Sequence, residues 1–438
     1  MPIKDIKKLQ SQSRLIGYKL SEELNPQNKL YKLRDEINWA VLEKHVLANM
    51  KVSGSGRERH SVRLLLGLLL LQAMNNTSDR LAAEELTENI YWQYFCGYEY
   101  LEQEVSISES SIRRFRQALG EEGLNAILRE IIKVGINIGA VKKKDLTTTI
   151  IDTTVQKKNI KHPHDAILME QARLKLVGLF HRLGIYLNDT YAKFFKEQTH
   201  QLWRYKDESK AKSKIKLIDK MKTRLGRLVR LLKRQLAERG ISLSAKDEAL
   251  WLSIQQIYQQ SSLKPAEKKH YKKDHRVLYS LHAPEVECIG KGKLHKPYEF
   301  GNKVAVMVSG KKNFVLGVKS FHGNPYDGHT LDQSVKIIEA NIGTEVTKIF
   351  LDRGYRGSNY KHKSKIYVPG TRKQLSSAER KMQKRRNAIE PIIGHLKNHG
   401  RMACNYLRGV IGDILNPLIS AVGFNLRSLA KHVTAVWP

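Results

Sequence analysis

The chain has 438 residues, enough for two or three domains, and its 41% hydrophobic content excludes a globally disordered protein. Lys and Arg number 77 against 43 Asp and Glu, which gives a formal net charge of +34. Such an excess opposes compaction unless a polyanion neutralises it. Nucleic acid is the commonest partner of this kind, and an anionic membrane is the main alternative.

The sequence disfavours both membrane insertion and a disulfide framework. The most apolar run noted, Leu64–Leu71, is much shorter than the roughly 20 residues of a membrane span, and the N-terminus lacks the apolar core of a signal peptide. The three cysteines, Cys96, Cys288 and Cys404, are far apart and odd in number. We therefore expect a cytoplasmic protein in a reducing compartment.

Residues 1–145 are predicted to be a helical region for DNA binding or dimerisation. Ser61–Met74 is apolar nearly all round and is typical of a buried helix. Ser108–Leu119 begins with capping serines and carries a basic flank of Arg113, Arg114 and Arg116. This pattern suits a helix-turn-helix recognition element, with an ordinary solvated helix face as an equal alternative.

A strand and a helical insertion are predicted next. Thr147–Val155 is rich in Thr, Ile and Val, as strands are. Residues 163–284 are predicted to be helical, with a heptad seam formed by Ile218, Met221, Leu225, Leu228 and Leu232. On the other side of that helix we expect DNA-phosphate contacts from Lys220, Arg224 and Arg227, because the whole chain is so positive. A solvated face or a membrane-surface helix are the alternatives.

The remaining region, residues 285–438, returns to strands and helices. Residues 300–308 and 314–318 are predicted to form a hairpin. Thr330 and Gln333 predict a capping box for a helix that stops at Gly343. Strands are predicted over residues 347–352 and 365–368, and a long helix over residues 377–398.

Three acidic residues stand out by position. Asp152 lies within the first predicted strand, Asp352 ends an apolar strand, and Glu390 lies on the last predicted helix among basic residues. A carboxylate in a core strand has a desolvation cost unless it binds a metal or a partner. Carboxylates from two strands and a helix can hold two Mg²⁺ ions about 4 Å apart for phosphodiester chemistry. Taken singly, each has a plainer explanation as a turn, a strand-edge hydrogen bond or a helix salt bridge.

Arg386 and Lys397 lie four before and seven after Glu390, so one helix face is predicted to carry all three. Arg grips phosphate bidentately and Lys acts as a point charge. A carboxylate between two such cations indicates that a phosphate backbone crosses this face of the helix.

At this point the chain resembles a known family, the bacterial insertion-sequence transposases of the insertion-sequence-five superfamily. The motifs that carry the resemblance span roughly residue 30 to the C-terminus and read NIYWQYFCG (89–97), IDTTVQKKNI (151–160), YDGHTL (326–331), DRGYRG (352–357), AIEPIIGHLK (388–397) and GFNLR (423–427). Where the family has a Tyr three residues before the signature Arg, this chain has Gln383.

The resemblance implies an α/β fold. It would consist of an RNase H-like catalytic core with an all-α N-terminal region and a helical insertion after the first strand. It also implies that Asp152, Asp352 and Glu390 bind two Mg²⁺ or Mn²⁺ ions, and that Arg386 and Lys397 form its signature around the Glu. The catalytic domain is accordingly expected over residues 146–162 and 285–438.

The activity implied is that of a DDE-type transposase. Water frees a 3′-OH at the transposon end, and that 3′-OH attacks target DNA with no covalent protein intermediate. Partners are double-stranded DNA, as inverted repeats and target, and a second copy of the chain on DNA. Arg353 is a further expected DNA contact, and His329 is either an accessory site residue or a helix-entry histidine. The alternatives are a catalytically silent DNA-binding derivative and an endonuclease without strand transfer.

Overall fold

The computed structural model describes residues 19–49, 60–204, 211–263, 267, 270–271, 277–291, 297–358, 360, 363–370 and 374–436. The chain forms two compact units. One contains residues 1–157 and 302–438, and the other contains residues 158–301. The inserted unit therefore starts 5 residues before the predicted range of 163–284 and ends 17 residues after it. The N-terminal helices belong to the same unit as most of the sheet.

Helices occupy the first part of the chain: α1 (Leu20–Glu23), α2 (Lys29–Glu36), α3 (Trp39–Asn49), α4 (Val62–Asn75), α5 (Asp79–Glu88), α6 (Ile90–Phe95), α7 (Glu109–Asn137) and α8 (Lys143–Leu146). The predicted buried helix is confirmed, because α4 is buried along nearly its whole length. Its N-cap, Ser61, accepts a hydrogen bond from the backbone N–H of Leu64.

The predicted basic helix is the first part of α7. Ser108 caps it by accepting a hydrogen bond from the N–H of Ser111, as expected. The helix continues much further than predicted and is kinked at Gly120, whose φ of 61° suits a residue without a Cβ atom.

The first strand, β1 (Thr148–Lys157), confirms the prediction and extends it by two residues. It leads into the inserted unit, whose helices are α9 (Asp165–Arg182), α10 (Ala192–Arg204), α11 (Ala211–Glu238) and α12 (Ala245–Gln260). Met221, Leu225, Leu228 and Leu232 of the predicted seam are buried in a core of this unit's own. A short strand not predicted from sequence, β2 (Glu287–Gly290), pairs antiparallel with residues 298–301 of the following strand.

The rest of the chain contains β3 (Tyr298–Ser309), β4 (Val315–Phe321), α13 (Leu331–Ile342), β5 (Lys348–Phe350), β6 (Lys365–Tyr367), α14 (Ser377–Arg385), α15 (Ile389–Gly400) and α16 (Gly409–Val436). The predicted hairpin is confirmed, since β3 and β4 pair antiparallel. The strand order is β2-β3-β1-β5-β6, with β4 also bonded to β3. Because β1 pairs parallel with β5, and β5 with β6, the sheet is mixed.

One local prediction in this region was wrong. Thr330 forms no side-chain cap for α13, because it ends a 3₁₀ turn, Asp327–Thr330, and its hydroxyl donates to the Asp327 carbonyl instead. The predicted long helix is interrupted by a 3₁₀ turn, Arg386–Ala388, between α14 and α15. Pro391, which has no N–H to donate, lies in the first turn of α15, where an α-helix tolerates it.

The C-terminal helix α16 fills the core of the first unit. It is long and apolar enough to cross a membrane, yet 67% of its most apolar window is buried, against α4, α7 and β4. The helix contains Pro417, which cannot donate to the Asp413 carbonyl four residues earlier. That carbonyl instead accepts hydrogen bonds from the side chains of Ser320 and Gln156. Side chains of the sheet thus satisfy the acceptor that the proline leaves open.

Candidate active site

The register of the parallel strands β1 and β5 places Asp152 beside Asp352. The last residue pair in register is Ile150 with Phe350, and each aspartate lies two residues further along its strand direction. Neighbouring strands lie about 4.8 Å apart, so side chains at equivalent positions are close. The sequence predicted that these two residues would meet, and the structure brings them together.

The electrostatics of Asp152 reflect this position. Burial, with smaller contributions from the negative charges of Asp352 and Asp327, raises the pKa of Asp152 to about 6. The backbone N–H of Thr153, which donates to Asp152 Oδ1 at 2.8 Å, and the charge of Arg386 oppose the rise. Two half-buried carboxylates that repel each other form a site suited to a cation.

Asp352 starts a turn. Its Oδ1 accepts a hydrogen bond of 2.7 Å from the N–H of Gly354, within the 3₁₀ turn Arg353–Tyr355. A Cβ atom on Gly354 would lie 2.9 Å from Asp352 Oδ1 and 3.0 Å from Asp327 Oδ2. Only a residue without a side chain leaves room for both carboxylates at this point.

Asp327 is the site residue that the sequence analysis did not single out. It follows β4 and opens the 3₁₀ turn that leads into α13. Its Oδ1 accepts hydrogen bonds of 2.9 Å from Thr153 Oγ1 and of 2.9 Å from Lys303 Nζ. The only signal in the sequence was its place in the YDGHTL stretch, in which only His329 was predicted as a possible site residue.

Tyr355 is a buried residue close to these carboxylates. The residue is 1% exposed. Burial raises the pKa of its hydroxyl well above the usual value, and the charges of Asp152, Asp327 and Asp352 add to the rise. The phenol therefore stays neutral at all physiological pH values.

Glu390 is the second residue of α15, a helix that packs against β1 through its buried face of Ile389, Ile392 and Leu396. Its side chain is exposed, and within the described part of the chain it has no ion pair or hydrogen bond. Arg386, four residues earlier, is close enough to lower the pKa of Asp152. Since Arg386 lies in the 3₁₀ turn, it does not share one continuous α-helical face with Glu390 and Lys397.

The candidate DNA contacts of the first unit differ in exposure. Arg353, Arg113 and Arg114 are exposed, while Lys397 and Arg386 are half-buried. Arg116 departs from the predicted basic flank: it is 5% exposed and forms an ion pair with Asp79. Its buried guanidinium is a structural group rather than a surface contact.

In the inserted unit, Lys220 and Arg227 are exposed on α11. Arg224 lies over the rings of Tyr191 and Phe194, at 5.7 Å and 5.4 Å from their centroids, so its charge is partly engaged within the unit.

His329 is exposed beside the site. Its ring packs edge-on against Tyr326, with 5.4 Å between the ring centroids, and its backbone N–H donates to the Tyr326 carbonyl. This is the contact expected of a helix-entry histidine.

The oxygen-only character of Asp152, Asp352 and Glu390 fits a hard divalent cation. Across the residues that the structure describes, however, no three His, Cys, Asp or Glu side chains are grouped as ligands for one metal ion. The structure thus assembles the aspartate pair, with Glu390 on the adjacent helix.

Paired carboxylates at a strand end, beside cationic side chains, are typical of enzymes that act on phosphodiesters. Residues 18–118 match the family model described as Transposase domain (DUF772). The chain is 31% identical over 187 residues to the uncharacterized protein ORF8 in the nfe locus of Rhizobium meliloti, covering 43% of this chain and 89% of that protein. No solved structure matches. The domain indicates a nucleic-acid-processing enzyme, and the chain belongs to this family of transposase-domain proteins.

Proposed function

We propose that this protein is a DDE-type DNA transposase that cuts DNA at the ends of its element and joins the freed 3′-OH to target DNA. The observation that carries the proposal is the adjacency of Asp152 and Asp352 on neighbouring parallel strands. Two half-buried carboxylates so close together have an electrostatic cost that a divalent cation removes.

The topology supports an RNase H-like core. In chain order it has a first strand, an antiparallel pair, a helix, and two further strands in parallel with the first, followed by helices. The acidic residues lie in the first strand, directly after the fourth strand of this core, and on a helix after the fifth. The mainly helical inserted unit follows the first strand.

Asp152, Asp352 and Glu390 are the residues that would hold two Mg²⁺ or Mn²⁺ ions. Bound there, the ions would supply the Lewis acidity that activates water and stabilises the leaving oxygen of a phosphodiester. Asp152 contributes its charge only when ionised, so its pKa of about 6 requires a near-neutral pH or a bound cation. Ser, Cys or Tyr nucleophiles are not needed, because water and then a DNA 3′-OH are the attacking groups.

The cationic side chains around the site would position DNA. Arg386 and Lys397 flank Glu390, and Arg353 follows Asp352 directly. Arg113 and Arg114 on α7, and Lys220 and Arg227 on α11, are exposed contacts for phosphates elsewhere on the chain. We place the protein in the bacterial cytoplasm, bound to double-stranded DNA as a homodimer, since transposition pairs two ends.

The test is Mg²⁺-dependent cleavage of a supercoiled plasmid that carries the gene with its native flanking DNA on both sides. We expect nicked and joined products with wild type. Asp352→Asn should bind the same DNA and produce neither, whereas Asp332→Asn, an exposed aspartate on α13, should match wild type. Equal activity of wild type and Asp352→Asn would refute the proposal.

The alternatives give different products. Cleavage without joined molecules would identify an endonuclease that lacks strand transfer. Binding without metal-dependent cleavage by wild type would identify a silent DNA-binding derivative. Short inverted repeats on both sides of the gene would favour the transposase.

A further inference from the structure

We propose that Asp327 is a positioning residue of this active site, one that fixes the strand carrying Asp152 and the turn carrying Asp352 relative to each other. The inference rests on the proposed function and deepens it. Asp327 belongs to neither of these elements. It lies in the turn between β4 and α13. Its Oδ1 accepts from Thr153, the neighbour of Asp152, and its Oδ2 lies beside Gly354, in the turn of Asp352.

The first link is to the strand of Asp152. Thr153 is held at both ends: its backbone N–H donates to Asp152 Oδ1 at 2.8 Å, and its hydroxyl donates to Asp327 Oδ1 at 2.9 Å. A threonine fixed by its hydroxyl has little freedom at χ1, because its Cβ is branched. The orientation of the neighbouring Asp152 carboxylate is thereby coupled to Asp327.

The second link is to the turn of Asp352. Asp327 Oδ2 and Asp352 Oδ1 approach the same side of Gly354. Asp352 Oδ1 also accepts the Gly354 N–H. The Asp352 carboxylate is therefore confined between its own turn and the Asp327 carboxylate.

The charge of Asp327 is already balanced within the protein. Lys303 Nζ donates to Asp327 Oδ1 at 2.9 Å and to the Pro325 carbonyl at 2.6 Å, and the Lys303 side chain is only 13% exposed. An ion pair at this depth holds its geometry more firmly than a surface pair does. For this reason we assign Asp327 to positioning and not to metal binding.

Three variants separate this role from general support of the fold. Asp327→Ala removes both acceptors, whereas Asp327→Asn keeps one oxygen that can accept from Thr153. Thr153→Val removes the hydroxyl and preserves the branched shape. Asp332→Asn, an exposed aspartate in the first turn of α13, is the matched control.

The readouts are the Mg²⁺-dependent cleavage rate, the Mg²⁺ concentration for half-maximal rate, DNA affinity and the thermal midpoint. We expect Asp327→Ala to lower the cleavage rate about 100-fold and to raise the half-maximal Mg²⁺ concentration, with DNA affinity retained. Asp327→Asn should recover most of the rate. Thr153→Val combined with Asp327→Ala should be no worse than Asp327→Ala alone, because both break one linkage.

The outcomes distinguish the two proposals. Wild-type rate and Mg²⁺ dependence in Asp327→Ala, with Asp352→Asn inactive, would overturn the positioning role and leave the transposase proposal standing. The role would also be overturned if Asp327→Ala lowered the cleavage rate without changing the half-maximal Mg²⁺ concentration, and if Asp327→Asn did not recover the rate. If wild type itself shows no metal-dependent cleavage, the proposed function fails and the role of Asp327 fails with it.

Discussion

Asp152 and Asp352 lie side by side on parallel strands, and the charge of Asp352 adds to the effect of burial in raising the pKa of Asp152 to about 6. An aspartate with a folded-state pKa above its ordinary value of 3.8 holds its proton more tightly when folded. The contribution of Asp152 to the free energy of unfolding is therefore fully present below about pH 4 and is lost as the pH rises through about 6.

The first prediction follows from that sign. Asp152→Asn should stabilise the metal-free protein at pH 7.5 by at most about 3 kcal/mol, since each unit of pKa corresponds to about 1.4 kcal/mol and solvent screening reduces the effect. Near pH 4 the gain should vanish. Denaturant unfolding of both proteins at the two pH values measures this. A gain of equal size at both would show that ionisation is not its cause.

The second prediction concerns Gly354. A methyl group there would meet both Asp327 Oδ2 and Asp352 Oδ1, so Gly354→Ala should displace at least one carboxylate and lower cleavage roughly 10- to 100-fold. Gly178→Ala, a helical glycine of α9 whose added Cβ would meet only the tip of Arg182 at 3.7 Å, is the control. The measurement is the cleavage rate at saturating Mg²⁺. Full activity in Gly354→Ala would show that the spacing of these carboxylates does not matter.

The third prediction separates catalysis from stability at Glu390. Because this side chain is exposed, Glu390→Gln should leave the thermal midpoint unchanged. Loss of a metal-binding carboxylate should nevertheless lower cleavage more than about 100-fold. Glu104→Gln, a change at an exposed residue of the first unit, should alter neither the thermal midpoint nor the cleavage rate. Retained cleavage in Glu390→Gln would remove this residue from the active site.

The fourth prediction compares three arginines of one helix. Arg116→Met should leave Asp79 unpaired and destabilise the protein by about 3 kcal/mol. Arg113→Ala and Arg114→Ala should leave stability unchanged, weaken DNA binding, and each reduce the salt dependence of binding by about one phosphate contact. Unfolding curves and binding at several salt concentrations test this. Unaltered DNA affinity in both exposed variants would place the DNA on another surface.

Short-range patterns in the sequence predicted much of the fold. The capping serine of α7, the β3–β4 hairpin and the stop at Gly343 all depend on neighbours a few residues away. The convergence of Asp152 and Asp352 was expected because Asp152 lies within one predicted core strand and Asp352 ends another.

Other features depend on distant partners and were not predictable in the same way. Asp327 acquires its place from Thr153, 174 residues earlier, and from Lys303. Arg116 shares the spacing of Ile112 and Leu119, so the periodicity did place it on the buried face. Its charge nevertheless predicted an exposed residue, because the partner that neutralises it, Asp79, lies 37 residues away in the sequence.

The inserted unit has a consequence for synthesis. The strands β1 and β5 pair residues that are 200 positions apart. The inserted unit, which has its own hydrophobic core, lies between them in the sequence. At about 5–20 residues per second, a ribosome needs at least roughly ten seconds between the two aspartates. During that interval the insertion can fold, and of its two neighbours in the sheet β1 gains β3 before β5. The pair of Asp152 and Asp352 therefore forms late in translation, so the proposed activity cannot appear before Asp352 has been synthesised.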